Sequence, residues 1–219
     1  MDRIAIIRAN CGGFDQLHPC AKQDVDGVET IIFDDGGFPP REKAMTARMQ
    51  ARLPKILGWM YEPGFDYYLW VDASFAIESP KCVSWFLEKL GTRDMVVFKH
   101  PDRNTVKEEI EYIEKRIADG NKYLTDRYEG EYGDEQACYL LKEEYDDVHL
   151  FATCAIFYRN PEKIKTLRDT MLEWWAHTSA FHLVDQTSLP YAIWKHQCKV
   201  AIVDNNIYKI PYITYTRDK

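Results

Sequence analysis

Nowhere in the 219 residues does an apolar run approach the length of about 20 that a helical bilayer span requires. The first residues, Met1-Asp2-Arg3-Ile4-Ala5-Ile6-Ile7-Arg8, lack the long apolar segment and cleavage site of a secretory leader and read directly as a strand. Missing too is any C-x-x-C pair or zinc-like spacing. The six cysteines (Cys11, Cys20, Cys82, Cys138, Cys154 and Cys198) are scattered, several of them in apolar runs where cysteine acts as a small hydrophobe. Together these absences predict a reduced, cytoplasmic protein with no transmembrane segment. No excess of positive charge exists either: 28 Lys and Arg face 35 Asp and Glu, a net charge of −7, which excludes broad electrostatic attraction to nucleic acid.

Several fingerprints are also absent. The chain has no G-x-G-x-x-G, no P-loop, no G-x-S-x-G and no H-E-x-x-H. Dinucleotide-binding dehydrogenases, P-loop NTPases, serine hydrolases and zinc proteases are thereby disfavoured. The pairs Gly12-Gly13 and Gly36-Gly37 are turn signals, too short for a phosphate cradle. With no repeat, no linker-like break and no low-complexity stretch, residues 1–219 read as one domain with a sizeable core.

What is present is an alternation of strand and helix signals, which predicts an α/β fold with a mixed central sheet flanked by helices. Strands are expected at Ile4–Arg8, Glu29–Phe33, Tyr67–Val71, Met95–Phe98, Leu150–Tyr158 and Lys199–Val203, the first four covered on both faces. A helix is expected over Arg41–Met60, interrupted near Pro54, and others over Lys81–Leu90, from Asn104 or Thr105 to Asp119, after Asn160-Pro161-Glu162, and from Val184-Asp185 to about His196. Between Gly120 and Gly133 the pattern reads as a loop carrying Tyr123, Tyr128 and Tyr132, either a cover for a ligand or a polar connection.

Four groups of residues carry chemical signal. The apolar strand Tyr67-Tyr68-Leu69-Trp70-Val71 ends in Asp72-Ala73-Ser74, and in an open α/β sheet ligands bind beyond the carboxyl ends of strands. One carboxylate there suffices for a hard divalent cation already bridged by a diphosphate; otherwise Asp72 is a turn residue. Arg48, Arg52 and Lys55, at i, i+4 and i+7, share one helical stripe suited to a pyrophosphate leaving group, or form an ordinary solvated face. His100-Pro101-Asp102-Arg103, with Glu108-Glu109, follows a strand: His100 is a candidate catalytic group or a ligand of metal or a sugar hydroxyl, and Arg103 a phosphate or carboxylate binder. Otherwise Asp102 or Asn104 caps the next helix and His100 fills a turn, an account that explains the caps but not His100. In His182-Leu183-Val184-Asp185-Gln186, Asp185 is first a helix N-cap and second a proton acceptor or sugar ligand.

Taken in order, Gly12-Gly13-Phe14-Asp15, Ile32-Phe33-Asp34-Asp35, Arg48 with Leu53-Pro54-Lys55, Leu69 to Ser74, His100 to Arg103 with Glu108-Glu109, Trp174-Trp175 and Asp185-Gln186 run collinearly over nearly the whole chain. This set resembles the plant MUCI-type glycosyltransferase-like domain family, formerly a domain of unknown function and related to GT-A enzymes. The resemblance implies a GT-A nucleotide-diphospho-sugar transferase fold, with base and ribose near Arg8, Asn10 and Asp35. It places a metal, Mn2+ ahead of Mg2+, at the D-x-D position, here Asp72-Ala73-Ser74, where Ser74 replaces the second acid. It assigns Asp185 and Gln186 to the sugar or acceptor, and it implies as partners a nucleotide-sugar donor, with uridine diphosphate as the nucleotide, and a glycan or other hydroxyl acceptor. Two rivals stay open: a non-catalytic sugar-nucleotide or glycan-binding module, and a nucleotidyltransferase that makes sugar nucleotides.

Overall fold

The computed structural model describes residues 1–13, 15–41, 44–181 and 184–216. The strands β1 (Ile4–Asn10), β2 (Val28–Asp34), β3 (Tyr67–Val71), β5 (Met95–Lys99), β6 (Phe151–Arg159) and β7 (Val200–Val203) form one six-stranded sheet in the order β2-β1-β3-β6-β5-β7. All run parallel except β6, which pairs antiparallel with β3 and β5. The carboxyl ends of β1, β3 and β5 and the start of β6 therefore meet at one sheet edge. A short β4 (Phe75–Ala76) pairs with β8 (Thr214–Tyr215) beside that edge. Neither short strand was expected from the sequence, since two residues carry no periodicity.

Alternation along the central strands fills a core on each face. In β1, Ala5, Ile7 and Ala9 face one cluster and Ile4 and Ile6 the other; in β3, Tyr68 and Trp70 oppose Leu69 and Val71. The first cluster packs beneath α1 (Ala47–Tyr61), α6 (Lys165–Ala180) and α7 (Leu189–His196), the second beneath α2 (Cys82–Leu90) and the C-terminal segment. A smaller cluster joins α3 (Val106–Ala118) and α5 (Gly133–Lys142) to Leu150 and Tyr191. The expectation that the first four strands are covered on both faces fails for β2, an edge strand on which only Phe33 is buried.

α1 starts at Ala47, later than the expected Arg41, because the Thr46 side chain accepts the Met49 N–H (3.1 Å) and so caps the helix there. Pro54 lies inside α1, and the departure from helical angles falls at Leu57 (φ −112°, ψ 15°). At the next residue the helix nearly touches the sheet: a Cβ on Gly58 would lie 2.5 Å from Ile7 Cδ1. This close approach holds α1 against the sheet, so that its preceding turns, with Arg52 and Lys55, lie at the sheet edge. The expected loop from Gly120 to Gly133 instead contains a short helix, α4 (Lys122–Tyr128), whose N-cap Asn121 accepts from the Leu124 N–H. No α4 residue is buried, so it has no apolar stripe to betray it.

Gly58→Val would force α1 away from β1. Overpacking of this kind costs about 1–3 kcal/mol, and urea denaturation should show a loss in that range. An unchanged midpoint would contradict the close approach.

Candidate functional site

Asp72 follows the last residue of β3, and its backbone is pinned on both sides: its N–H donates to Cys154 O (2.8 Å) and its C=O accepts from Phe75 N–H (3.0 Å). Strand alternation puts Trp70 on the same face, and its indole Nε1–H donates to Asp72 Oδ1 at 2.6 Å. The Lys55 ammonium also reaches Oδ1, at 3.4 Å. The Trp70 and Lys55 contacts both arrive at Oδ1, and the side chain, 31% exposed, lines the cleft.

Lys55, only 1% exposed, points from α1 into the sheet edge. Its ammonium lies 2.6 Å from Asp185 Oδ2, 3.2 Å from Thr153 Oγ1 on β6, and 5.7 Å from the centre of the Trp70 ring. Arg52, one turn earlier on the same face, sits 3.4 Å from Asp185 Oδ1. Burial alone would raise the Asp185 carboxyl above its usual value, but the charges of Arg52 and Lys55 outweigh it and hold the group low. Arg52 in turn is held above its ordinary value: burial works against its charge, and Asp185 and Asp72 more than offset that. Asp185 occupies a 3-10 turn (Asp185–Thr187) rather than the start of an α-helix, and its carboxylate caps nothing. Other groups clamp that turn: Trp174 Nε1–H donates to Asp185 O (2.7 Å), and buried Gln136 bridges Thr187 and Ser188. Shared by two cations, the Asp185 carboxylate is a weak base as the structure holds it.

His100, expected as a catalytic or metal-binding group, serves its own turn. Its Nδ1 accepts the N–H groups of Asp102 (3.2 Å) and Arg103 (3.1 Å). Burial first, and the Arg103 charge second, push its pKa down to about 4, so the ring is neutral near pH 7. Thr105, not Asp102 or Asn104, caps α3. Arg103 donates from Nε to Glu109 Oε2 and lies over the Tyr112 ring at 4.1 Å, while Gln186 Nε2–H donates to Glu109 Oε1 at 2.5 Å.

The residues expected at base and ribose are placed differently from one another. Arg8 is 1% exposed and donates to the carbonyls of His18, Ala73 (3.2 Å) and Phe75, bracing the loop after Asp72. Asn10 exchanges hydrogen bonds with the backbone of Asp15, although it still lines the cleft. Asp35 is exposed, takes the Gly12 N–H at 3.0 Å, and lies outside the residues that line either chamber described next. His182 and Phe14 lie outside the described residues.

Two adjoining chambers open at this edge. The larger, of about 520 Å³, is lined by Asn10, Arg48, Arg52, Asp72, Ser74 and the N-terminal turn of α1. The smaller, of about 280 Å³, is lined by Lys55, His100, Arg103, Glu109, Asp185 and Gln186. Arg52, Asp72, Tyr123 and Tyr128 line both, so the chambers meet at Asp72 beneath α4. Within that roof Arg127 stacks on Tyr123 (3.4 Å), and Arg48 donates to Arg127 O (3.3 Å) and lies 5.5 Å from the Tyr128 ring centre. Sequence reasoning thus named residues of both chambers but missed Trp70 and Thr153. Trp70 was within reach of period-two alternation; Thr153 depends on strand order, which one sequence does not carry.

Among the described residues no group of three or more His, Cys, Asp or Glu forms a metal cage, and no helix is long and apolar enough to cross a membrane. No family model matches the chain, and no curated protein does. Solved structures that resemble it include a glycosyltransferase involved in the glycosylation of the major capsid of PBCV-1 (TM-score 0.49, 10% identity, covering 99% of this chain and 96% of that one). The apo WbbM bifunctional glycosyltransferase gives a TM-score of 0.48 at 11% identity, over 92% of this chain and 39% of that one. A197 from STIV gives 0.38 at 10% identity, over 92% and 82%. At these scores the likenesses carry no argument about chemistry, which rests on the site itself.

Removing one partner of a buried ion pair leaves the other charge uncompensated, at about 3–5 kcal/mol. Asp185→Ala should lower unfolding free energy by that order, and the double change Lys55→Met with Asp185→Leu should recover part of it, since Arg52 still loses Asp185; equal losses in both would show that the Lys55 pairing is not the cause. For His100 the unfolded chain takes up a proton between pH 6.5 and about 4 that the folded chain refuses, so stability falls on acidification through that window. Thermal melts should show a shallower fall for His100→Gln, which keeps an acceptor for the turn; identical slopes would contradict the assignment.

Proposed function

We propose that this chain is a GT-A type glycosyltransferase that moves a sugar from a nucleotide-diphosphate donor, a uridine diphosphate sugar, to a hydroxyl acceptor. The observation that carries the reading is the position of Asp72, a partly exposed carboxylate at a strand terminus where two chambers meet. The larger chamber falls within the range of about 300–1,000 Å³ usual for small-molecule sites and suits the nucleotide diphosphate. The smaller suits a single sugar ring. The bond to be broken, between the anomeric carbon and the diphosphate oxygen, then lies beside Asp72 and Arg52. In transfer that bond breaks, the acceptor oxygen bonds the anomeric carbon, and the nucleoside diphosphate and the acceptor's proton are released, through a transition state with oxocarbenium character.

Arg48 and Arg52 flank the larger chamber and would stabilise charge on the departing diphosphate. Charge balance also favours a cation that arrives with the donor. The walls of the two chambers carry Arg48, Arg52, Lys55, Arg103 and Arg127 against Asp15, Asp72, Glu109, Asp126, Glu131 and Asp185, so they offer a diphosphate no net positive charge. A lone carboxylate fits a hard cation that keeps water and substrate phosphate as its other ligands. Asp72, with Ser74 beside it, would hold manganese or magnesium, which supplies neutralisation of the leaving group. Asp185 acts in this reading as a positioning residue for Arg52 and Lys55. The resemblance to the MUCI-type family and a cytoplasmic setting belong to the same proposal.

Asp72→Asn, which keeps an Oδ1 acceptor for Trp70 and Lys55, should abolish donor-dependent transfer and donor hydrolysis while the chain still unfolds in one cooperative thermal transition. Arg48→Ala should weaken uridine diphosphate binding by about tenfold, the scale of one charge-assisted contact. Full transfer activity in Asp72→Asn would remove this residue from the mechanism, and nucleotide binding without turnover in the wild type would favour a binding module.

A further inference from the structure

The smaller chamber has a definite charge character. Its walls carry Arg52, Lys55 and Arg103 against Asp72, Glu109 and Asp185, and each cation is already matched. Lys55 and Arg52 hold Asp185, at 2.6 and 3.4 Å, and Arg103 holds Glu109, which is itself only 4% exposed. His100, neutral near pH 7, contributes no further charge. Tyr112 and Tyr208 add aromatic surface to the same walls.

We infer that this chamber accepts a neutral pyranosyl group and rejects a carboxylated one, with Glu109 as the specificity-determining residue. The inference rests on the transferase reading above and names the donor class of that same site. An acidic sugar needs a cation whose charge is not already met, and Arg103, which unlike Lys55 and Arg52 pairs with neither Asp72 nor Asp185, is held by Glu109. Glu109 occupies Arg103 in the manner that a sugar carboxylate would, and a second anion beside it meets like-charge repulsion in a partly desolvated space. Hydroxyl groups face no such conflict, since the outer N–H groups of Arg103 and the amide of Gln186 can donate to them while keeping Glu109. Specificity of this kind arises from a repulsive element rather than from an added attraction.

The test is calorimetric binding of uridine diphosphate, uridine diphosphate glucose and uridine diphosphate glucuronate, with manganese present, to wild type and to Glu109→Gln. Wild type should prefer the glucose donor over the glucuronate donor by about tenfold or more. Glu109→Gln, which keeps an acceptor for Gln186 and frees the charge of Arg103, should narrow that gap to about threefold or reverse it. The wild-type comparison stands by itself if the variant folds poorly. Equal affinity of wild type for the two sugar donors, with uridine diphosphate bound, overturns the inference and leaves the transferase reading intact. A gap unchanged in a folded Glu109→Gln overturns the role of Glu109. Failure of all three nucleotides to bind overturns the reading and the inference with it.

Discussion

A buried lysine on the underside of α1 is the constraint around which the candidate site is arranged. An ammonium removed from water is tolerated only where carboxylates and hydrogen-bond acceptors meet it. Lys55 finds them on three separate elements: Asp72 after β3, Thr153 on β6, and Asp185 in the 3-10 turn before α7. Its position therefore ties together segments far apart in the chain. The arrangement is weak evidence for stability, since an apolar replacement of the whole set would cost little. Its value lies in orientation: it holds Asp185, which Arg52 also meets, and it anchors Asp72 through Oδ1 beside the cleft.

Support for that geometry comes from outside the charged group. The contact of Gly58 with Ile7 lets α1 descend to the sheet edge, Arg8 braces the loop after Asp72 through its carbonyls, and Gln136 with Trp174 clamps the turn of Asp185. Residues that a sequence reading assigns to ligand binding thus divide into those that face the chambers and those that hold the walls. Over the junction lies α4, which buries none of its residues and is flanked by Gly120 and Gly130, both at positive φ. Such an element resists displacement less than the helices that share the cores.

The main sheet was legible because its strands are apolar runs bounded by turn residues, and Asp72 stood out because a charge ends such a run abruptly. The stripe of Arg48, Arg52 and Lys55 was legible from helical spacing, yet spacing could not say that Lys55 would be buried or that Asp185 would lie 2.6 Å from it. That contact joins residues 130 positions apart, and only strand order creates it. His100 closes its turn as an acceptor while it lines the smaller chamber, and a single sequence does not weigh those two uses against each other. The helix α4 was hidden because its residues are polar and aromatic without a core-facing stripe, so the loop reading had nothing to contradict it.

The central claim is spatial: a diphosphate lies at the junction of the two chambers, against Asp72 and Arg52. A crystal structure grown with uridine diphosphate and manganese measures this directly. The account predicts phosphate density between Asp72 and the Arg48–Arg52 edge of α1, with the nucleoside in the larger chamber and the smaller chamber left for the sugar. Nucleotide bound elsewhere, with Asp72 and Arg52 untouched, would contradict it.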